Sequence, residues 1–143
     1  DIVKPQFAFF GEKDFQQVAI IKYFVKDLNY PLEIVQCPIL REDDGLAKSS
    51  RNTLLTPAQR EAAPHIYKCL KKAVEYAATM TPAQVIETVT KEIDSNPELE
   101  TEYIELIDAN MLKPISSWDE APEVQLWCAV YARPVRLIDN IGL

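Results

Sequence analysis

The sequence predicts an α+β protein: a small, three-stranded antiparallel sheet packed by helices and preceded by a strand–helix–strand unit. Three observations predict it. Residues 6–37 read as strand, helix, strand with short links; a helix-starting tetrapeptide occurs twice in the middle of the chain; and three strand-like segments cluster after Asn96-Pro97. The 143 residues suit one domain or one and a half. An apolar fraction of 48 % with 26 % charged residues is ordinary soluble composition, with material for a core.

Gln6–Phe10 is a short apolar run that ends at Gly11, the pattern of a buried strand and a turn. From Asp14 onward Phe15, Val18, Ala19, Ile21, Phe24, Val25 and Leu28 recur at helical spacing, with Lys22 and Lys26 on the solvent side. Asn29-Tyr30-Pro31 stops that helix, because proline disfavours helix at the residue before it. Leu32–Cys37 then reads as a second strand closed by Pro38. If the two strands pair in parallel, the crossover is right-handed.

Residues 41–55 are polar and irregular. Thr56-Pro57-Ala58-Gln59 and Thr81-Pro82-Ala83-Gln84 follow, each with Thr at N-cap, Pro at the first helical position and Gln three residues past the cap. The first of these helices carries Ile66, Leu70, Ala73, Val74 and Ala77 on one face, and Pro64 interrupts its early part. The second carries Val85, Ile86, Val89 and Ile93. Beyond Asn96-Pro97 the period changes to that of strands at Tyr103–Ile107, Leu126–Tyr131 and Val135–Asp139, the last two linked by Arg133-Pro134.

Composition excludes several chemistries. One histidine (His65) cannot make H-E-x-x-H or an H-x-G-H pair, and three glycines make neither G-x-G-x-x-G nor the P-loop pattern. The net charge is −7, and residues 52–143 hold 14 acids against 8 bases. That surface would repel phosphates, so neither nucleic acid nor an anionic membrane is expected as a partner. Residues 1–51 are nearly balanced, which leaves room for an anion site near Lys13, Lys48 and Arg51. Cys37, Cys69 and Cys128 lack metal-binding spacing and read as buried reduced thiols, which suits the cytoplasm. No apolar run reaches the roughly 18 residues of a membrane span, and no metal site is expected. The chain starts at Asp1 without Met, and Gln6–Phe10 reads like an interior strand, so the protein's beginning is expected to lie upstream.

Two stretches offer binding chemistry. Gly11-Glu12-Lys13-Asp14 lies between a strand and a helix, where ligands collect in open α/β sheets and helix N–H groups attract phosphate. Gly11 permits close approach, Lys13 adds a cation, and Asp14 suits ribose hydroxyls or Mg²⁺. The plainer alternative is favourable first-turn acids beside a solvated lysine. Lys48-Ser49-Ser50-Arg51-Asn52 places hydroxyls and two cations in a loop able to wrap a triphosphate, with Arg51 bidentate on two oxygens; the alternative is a polar loop before a helix. Gln17 lies four residues beyond Lys13 and would face the same way, presenting an amide to a carboxylate or hydroxyl. His65 reads as a structural or surface residue, and the acids of 98–105 as a solvated stretch.

Phe10–Gln17, Val35–Glu42 and Asp43–Asn52, in that order and spacing, resemble the pantothenate synthetase (pantoate–β-alanine ligase) family, and Pro134–Asn140 looks like its last strand. The resemblance implies activation of pantoate by ATP to pantoyl adenylate with Mg²⁺, then attack by β-alanine to give pantothenate and AMP. By resemblance, Gly11, Glu12, Lys13 and Asp14 would contact ATP, Gln17 would hold pantoate, and Leu40 would meet adenine through its backbone. Lys48, Ser49, Ser50 and Arg51 would form a loop related to the KMSKS signature. Many members carry Met where this chain has Lys48. The family's H-x-G-H motif lies in an N-terminal Rossmann-like half, so no catalytic histidine is expected here. The resemblance thus divides the chain into the end of that domain (1–40) and a C-terminal ATP-lid domain (41–143). It implies a homodimeric full-length enzyme and an inactive isolated chain. Two other readings remain at this point: a non-catalytic acidic interaction module, and another adenylate-forming or nucleotidyl transferase.

Overall fold

The structure is a computed structural model that describes residues 3–143; Asp1 and Ile2, and with them the expectation about how the chain starts, lie outside the described residues. The chain divides into two compact units, the first ending at Leu40 and the second running from Arg41 to Leu143.

In the first unit β1 (Phe7–Gly11) leads through a 3₁₀ turn (Glu12–Asp14) into α1 (Phe15–Asp27), and β2 (Glu33–Cys37) returns parallel to β1, with Phe9 opposite Val35. Proline and the left-handed Asn29 (φ 50°) end the helix together. The expected apolar stripe of α1 is present but incompletely covered. Val18 is buried, while Phe24 and Leu28 are exposed, as are Phe7 and Phe9 of β1. A two-stranded sheet is too narrow to bury both of its faces and a whole helix stripe.

The second unit is the predicted α+β layer. β3 (Glu100–Asp108), β4 (Val124–Ala132) and β5 (Val135–Gly142) form an antiparallel sheet in that order, with a register shift between Thr101 and Tyr103. Leu126, Cys128, Val130 and Ala132 alternate along β4 and are all buried, the period-two signature of a face turned to a core. That face meets α3 (Pro64–Tyr76) through Ile66, Cys69, Leu70 and Ala73, and α4 (Pro82–Asp94) through Val85, Val89 and Ile93.

Both tetrapeptides form capping boxes. The Thr56 and Thr81 hydroxyls accept the N–H of Gln59 and Gln84, whose side-chain oxygens accept the threonine N–H groups in return. Pro64 does more than kink the first helix. It ends α2 (Pro57–Ala62) and opens α3, since it has no N–H to continue the ladder. The acids of the 98–105 stretch are exposed, and two are paired across the sheet: Glu100 takes Arg133 in two bonds of 2.6 Å, and Glu102 takes Arg136 at 2.6 Å.

Candidate functional site

The first candidate stretch sits where β1 passes into α1. Gly11 has an extended backbone (φ −75°), and a Cβ built there would meet no atom within 4 Å. Among the described residues, therefore, no neighbouring atom requires glycine at this position. Glu12 is fixed from the neighbouring strand: Gln36 Nε2 donates to Glu12 Oε1 at 3.0 Å, and Lys22 donates in turn to the Gln36 oxygen. Lys13 is half-buried, whereas Asp14, Gln17 and Leu40 are exposed. The helical spacing argument linking Lys13 to Gln17 does not carry through, because Asp14 (φ −96°, ψ 58°) breaks the helical path between the 3₁₀ turn and α1.

The second stretch belongs to the other unit and is built as a tight loop followed by an exposed segment. Residues Arg41 and Ala47 bridge antiparallel, Glu42 N donates to Leu46 O at 2.8 Å, and Gly45 N donates to Glu42 O at 2.9 Å. Asp44 Oδ1 accepts Leu46 N, and Gly45 takes the left-handed φ of 95° that closes the turn. Arg60 Nη1 lies 2.6 Å from Asp44 Oδ2 and holds that carboxyl below its ordinary titration range. Leu46 and Ala47 are buried. The chain then surfaces at once: Lys48, Ser50 and Arg51 are exposed and Ser49 is half-buried.

Three members of the Lys48–Arg51 run have an internal tether. Lys48 lies 3.5 Å from the Glu42 carboxylate, Ser49 Oγ accepts the Arg51 N–H at 3.2 Å, and Arg51 Nη1 reaches the Arg136 carbonyl at 3.5 Å. Asn52 Nδ2 donates back to Ala47 O at 3.1 Å. The loop is therefore held at both flanks, with two cations and a hydroxyl presented to solvent. Fixed donors and cations of this kind suit phosphate oxygens, for which arginine is a planar fork and lysine a point charge.

Sequence reasoning gave no role to Arg41 or Asp139. Arg41 clasps Asp139 with two bonds, Nη1 to Oδ2 at 2.7 Å and Nη2 to Oδ1 at 2.9 Å. A signal was available. In Val135-Arg136-Leu137-Ile138-Asp139 the inward positions are Val135, Leu137 and Asp139, and an acid on the inward face of a strand requires a partner. Among the described residues no three His, Cys, Asp or Glu side chains gather where they could hold a metal ion. No described helix is long and apolar enough to cross a membrane. His65 Nε2 lies 2.9 Å from the Glu92 carbonyl oxygen.

Comparison with known proteins agrees with these motifs along the whole chain. The family model described as Pantoate-beta-alanine ligase matches residues 1–142. A pantothenate synthetase of Bacteroides thetaiotaomicron is 47 % identical over 141 residues, covering 99 % of this chain and 50 % of that protein. Among solved structures, pantothenate synthetase from Thermus thermophilus superposes with a TM-score of 0.89 at 36 % identity, covering 98 % of this chain and 50 % of that one. The pantoate-beta-alanine ligase of Francisella tularensis, solved with beta-gamma ATP and beta-alanine, gives 0.70 at 34 % identity over 98 % of this chain and 44 % of that one. The chain thus spans about half the length of the relatives it matches. It belongs to the pantoate–β-alanine ligase family.

Proposed function

We propose that this chain is the C-terminal part of an ATP-dependent ligase that condenses pantoate with β-alanine. A pantoate carboxylate oxygen attacks the α-phosphorus of ATP; the bond to the bridging oxygen breaks, and pyrophosphate leaves. The β-alanine amine then attacks the acyl carbon of pantoyl adenylate and expels AMP. The observation that carries this reading is the Lys48–Arg51 run, exposed on a loop whose flanks are both tethered. Negative charge grows on pyrophosphate as the α-phosphorus bond breaks, and fixed cations and hydroxyls stabilise that charge without reorganising.

In this reading Lys13 and Arg51 bind ATP phosphates, and Gly11, Glu12, Asp14, Lys48, Ser49 and Ser50 complete the ATP contacts. Leu40 meets adenine through its backbone, and Gln17 holds pantoate. Mg²⁺ enters as the phosphate-bound partner of the ATP substrate, which is how this ion usually binds. Residues 1–40 are the end of a Rossmann-like domain and 41–143 a C-terminal domain contacting ATP. The parallel β1–β2 pair and the exposed Phe7, Phe9, Phe24 and Leu28 support the first assignment, because parallel sheets are covered on both faces. The complete enzyme is a cytoplasmic homodimer, and the 143-residue chain by itself makes no measurable pantothenate, since it has one histidine and no H-x-G-H pair.

Pantoate-dependent exchange of pyrophosphate into ATP tests the proposal in the full-length protein. Lys13→Ala and Ser50→Ala are expected to abolish most of the exchange while circular dichroism stays unchanged. Full exchange in both variants would overturn the assignment, and exchange driven by another acid but not by pantoate would mark a different adenylate-forming enzyme.

A further inference from the structure

The Arg41–Asp139 pair presents a problem of energetics. Asp139 is nearly buried, its side chain 6 % exposed, and that of Arg41 is 16 % exposed. Desolvating two charges offsets most of their attraction, so such a pair contributes little net stability compared with apolar side chains of the same size. What it does supply is geometry, because a bidentate fork tolerates little displacement. Here the fork is constrained on every side. Besides the two Asp139 oxygens, Arg41 Nη1 donates to Gly45 O at 3.1 Å, and Nη2 lies 3.5 Å from Asn140 O. The guanidinium lies over the Tyr67 ring at 3.6 Å, and Gly45 is packed so closely that a Cβ would come within 2.8 Å of Tyr67 Cδ1.

The position of this clamp in the chain gives it a use. Arg41 opens the tight loop that closes at Ala47, and the exposed Lys48–Arg51 run begins at the next residue. On the far side Arg51 reaches the carbonyl of Arg136, three residues before Asp139 on the same strand. The loop therefore straddles β5, with the strong bidentate attachment at Asp139 and the weaker one at Arg136.

We infer that Arg41 and Asp139 are positioning residues for the adenylation half-reaction: their clamp fixes the Lys48–Arg51 loop on β5 in the geometry that receives the departing pyrophosphate. This inference rests on the ATP-binding reading of that loop. It assigns the pair to pantoyl-adenylate formation and not to the β-alanine step, in which no pyrophosphate takes part.

The two half-reactions can be measured separately in the full-length enzyme. ATP–pyrophosphate exchange reads adenylate formation, and a single turnover of chemically prepared pantoyl adenylate with β-alanine reads the second step. Arg41→Lys and the near-isosteric Asp139→Asn are expected to lower exchange by about ten- to a hundredfold, the scale of small misplacements in an active site, while the β-alanine step keeps its rate. Methylguanidinium is expected to restore part of the exchange in Arg41→Ala by seating between Asp139 and Tyr67. Unchanged exchange in both variants would overturn the inference. So would a parallel fall of both half-reactions without methylguanidinium rescue, because a purely structural loss acts on every step through the folded fraction. If the unsubstituted enzyme shows no pantoate-dependent exchange, the functional reading fails first, and visibly so.

Discussion

His65 places Nε2 2.9 Å from the carbonyl oxygen of Glu92, which ties the first turn of α3 to the last turn of α4. A carbonyl only accepts, so Nε2 carries the proton. Two more residues of α3 reach the same glutamate through its carboxylate: Tyr76 Oη donates to Oε1 at 2.5 Å and Lys72 Nζ to Oε2 at 3.0 Å. Three rungs of one helix thus converge on a single residue of its neighbour, at the rim of the core formed by Cys69, Leu70, Val89 and Ile93.

Glu92 gives this cluster a pH dependence. Burial opposes ionisation, but the hydrogen bonds from Tyr76 and Lys72 outweigh it and hold the carboxyl below the ordinary value of 4.5. A lowered folded-state pKa contributes stability above 4.5 that disappears as pH falls through the folded value. Glu92→Gln is therefore expected to cost about 1–2 kcal/mol at neutral pH, and the gap between variant and parent should narrow in acid. Urea unfolding followed from pH 7 downward checks this. A gap that stays constant into acid would show that the charge contributes nothing.

The three thiols should react at very different rates. Cys69 is buried, and burial and then the Glu92 charge push its thiol up to about 11. Cys128 is raised further, chiefly by burial and next by Asp139, while Cys37 is only half-buried. Since the thiolate is the nucleophile, an aromatic disulfide reagent at mildly alkaline pH should find one fast thiol in the 143-residue chain. Cys37→Ser should remove it, and urea should expose three. Fast labelling of Cys69 in the folded protein would contradict this.

The two units should differ in protection. The second has a continuous core with twenty-two buried members, among them Leu70, Val89, Leu126 and Val130. Among its described residues the first has Val18 as the one fully buried large side chain, and its two-stranded sheet is marginal by itself. Amide hydrogen exchange of the isolated chain should accordingly be faster in 7–37 than in 124–142 by several orders of magnitude. Equal protection would mean that the first unit is stabilised independently of further chain.

Much of this fold was legible because local chemistry decided it. Thr56-Pro57-Ala58-Gln59 and Thr81-Pro82-Ala83-Gln84 form the capping boxes their spacing announces, Pro64 breaks the helix, and alternation along Leu126–Tyr131 marks a strand. What remained hidden depends on residues far apart in sequence. Arg41 meets Asp139 across 98 positions, and the reason for glycine at 45 is a tyrosine at 67. For the candidate site, residue type suggested phosphate chemistry at Lys48–Arg51, but not that the Ser49 hydroxyl is already engaged by the Arg51 N–H. The stripe on α1 was readable, whereas its cover was not, because the described chain does not bury Phe24 or Leu28.

Two glycines make a controlled comparison. Gly45 has a φ of 95°, and a Cβ there would lie 2.8 Å from Tyr67 Cδ1; Gly11 has a φ of −75° and no atom within 4 Å. Gly45→Ala should cost about 1–3 kcal/mol from backbone strain, and should also push Tyr67 from its place under Arg41. Gly11→Ala should stay within about 0.5 kcal/mol of the parent. Thermal unfolding of the two variants side by side is the measurement, and equal midpoints would refute the assignment of strain to position 45.

The two capping boxes, alike in sequence, should be unequal in energy. Gln84 is exposed and its side chain serves its own helix, accepting Thr81 N at 2.9 Å. Gln59 is buried and does two things: Oε1 accepts Thr56 N at 3.1 Å, and Nε2 donates to Arg133 O at 2.9 Å in the link between β4 and β5. That carbonyl lies 74 positions away in sequence, so this bond fastens the start of α2 to the far end of the sheet. Thr56→Ala and Thr81→Ala each remove a cap and should cost about 1 kcal/mol alike. Gln84→Ala should cost less than that, because its backbone donor stays wet. Gln59→Ala removes the same reciprocal bond and also strips a donor from a partly buried carbonyl, for an added penalty of about 1–3 kcal/mol. Urea titration of the four variants separates the local term from the tertiary one. If Gln59→Ala and Gln84→Ala cost the same, the Arg133 contact contributes nothing and both boxes are purely local helix starts.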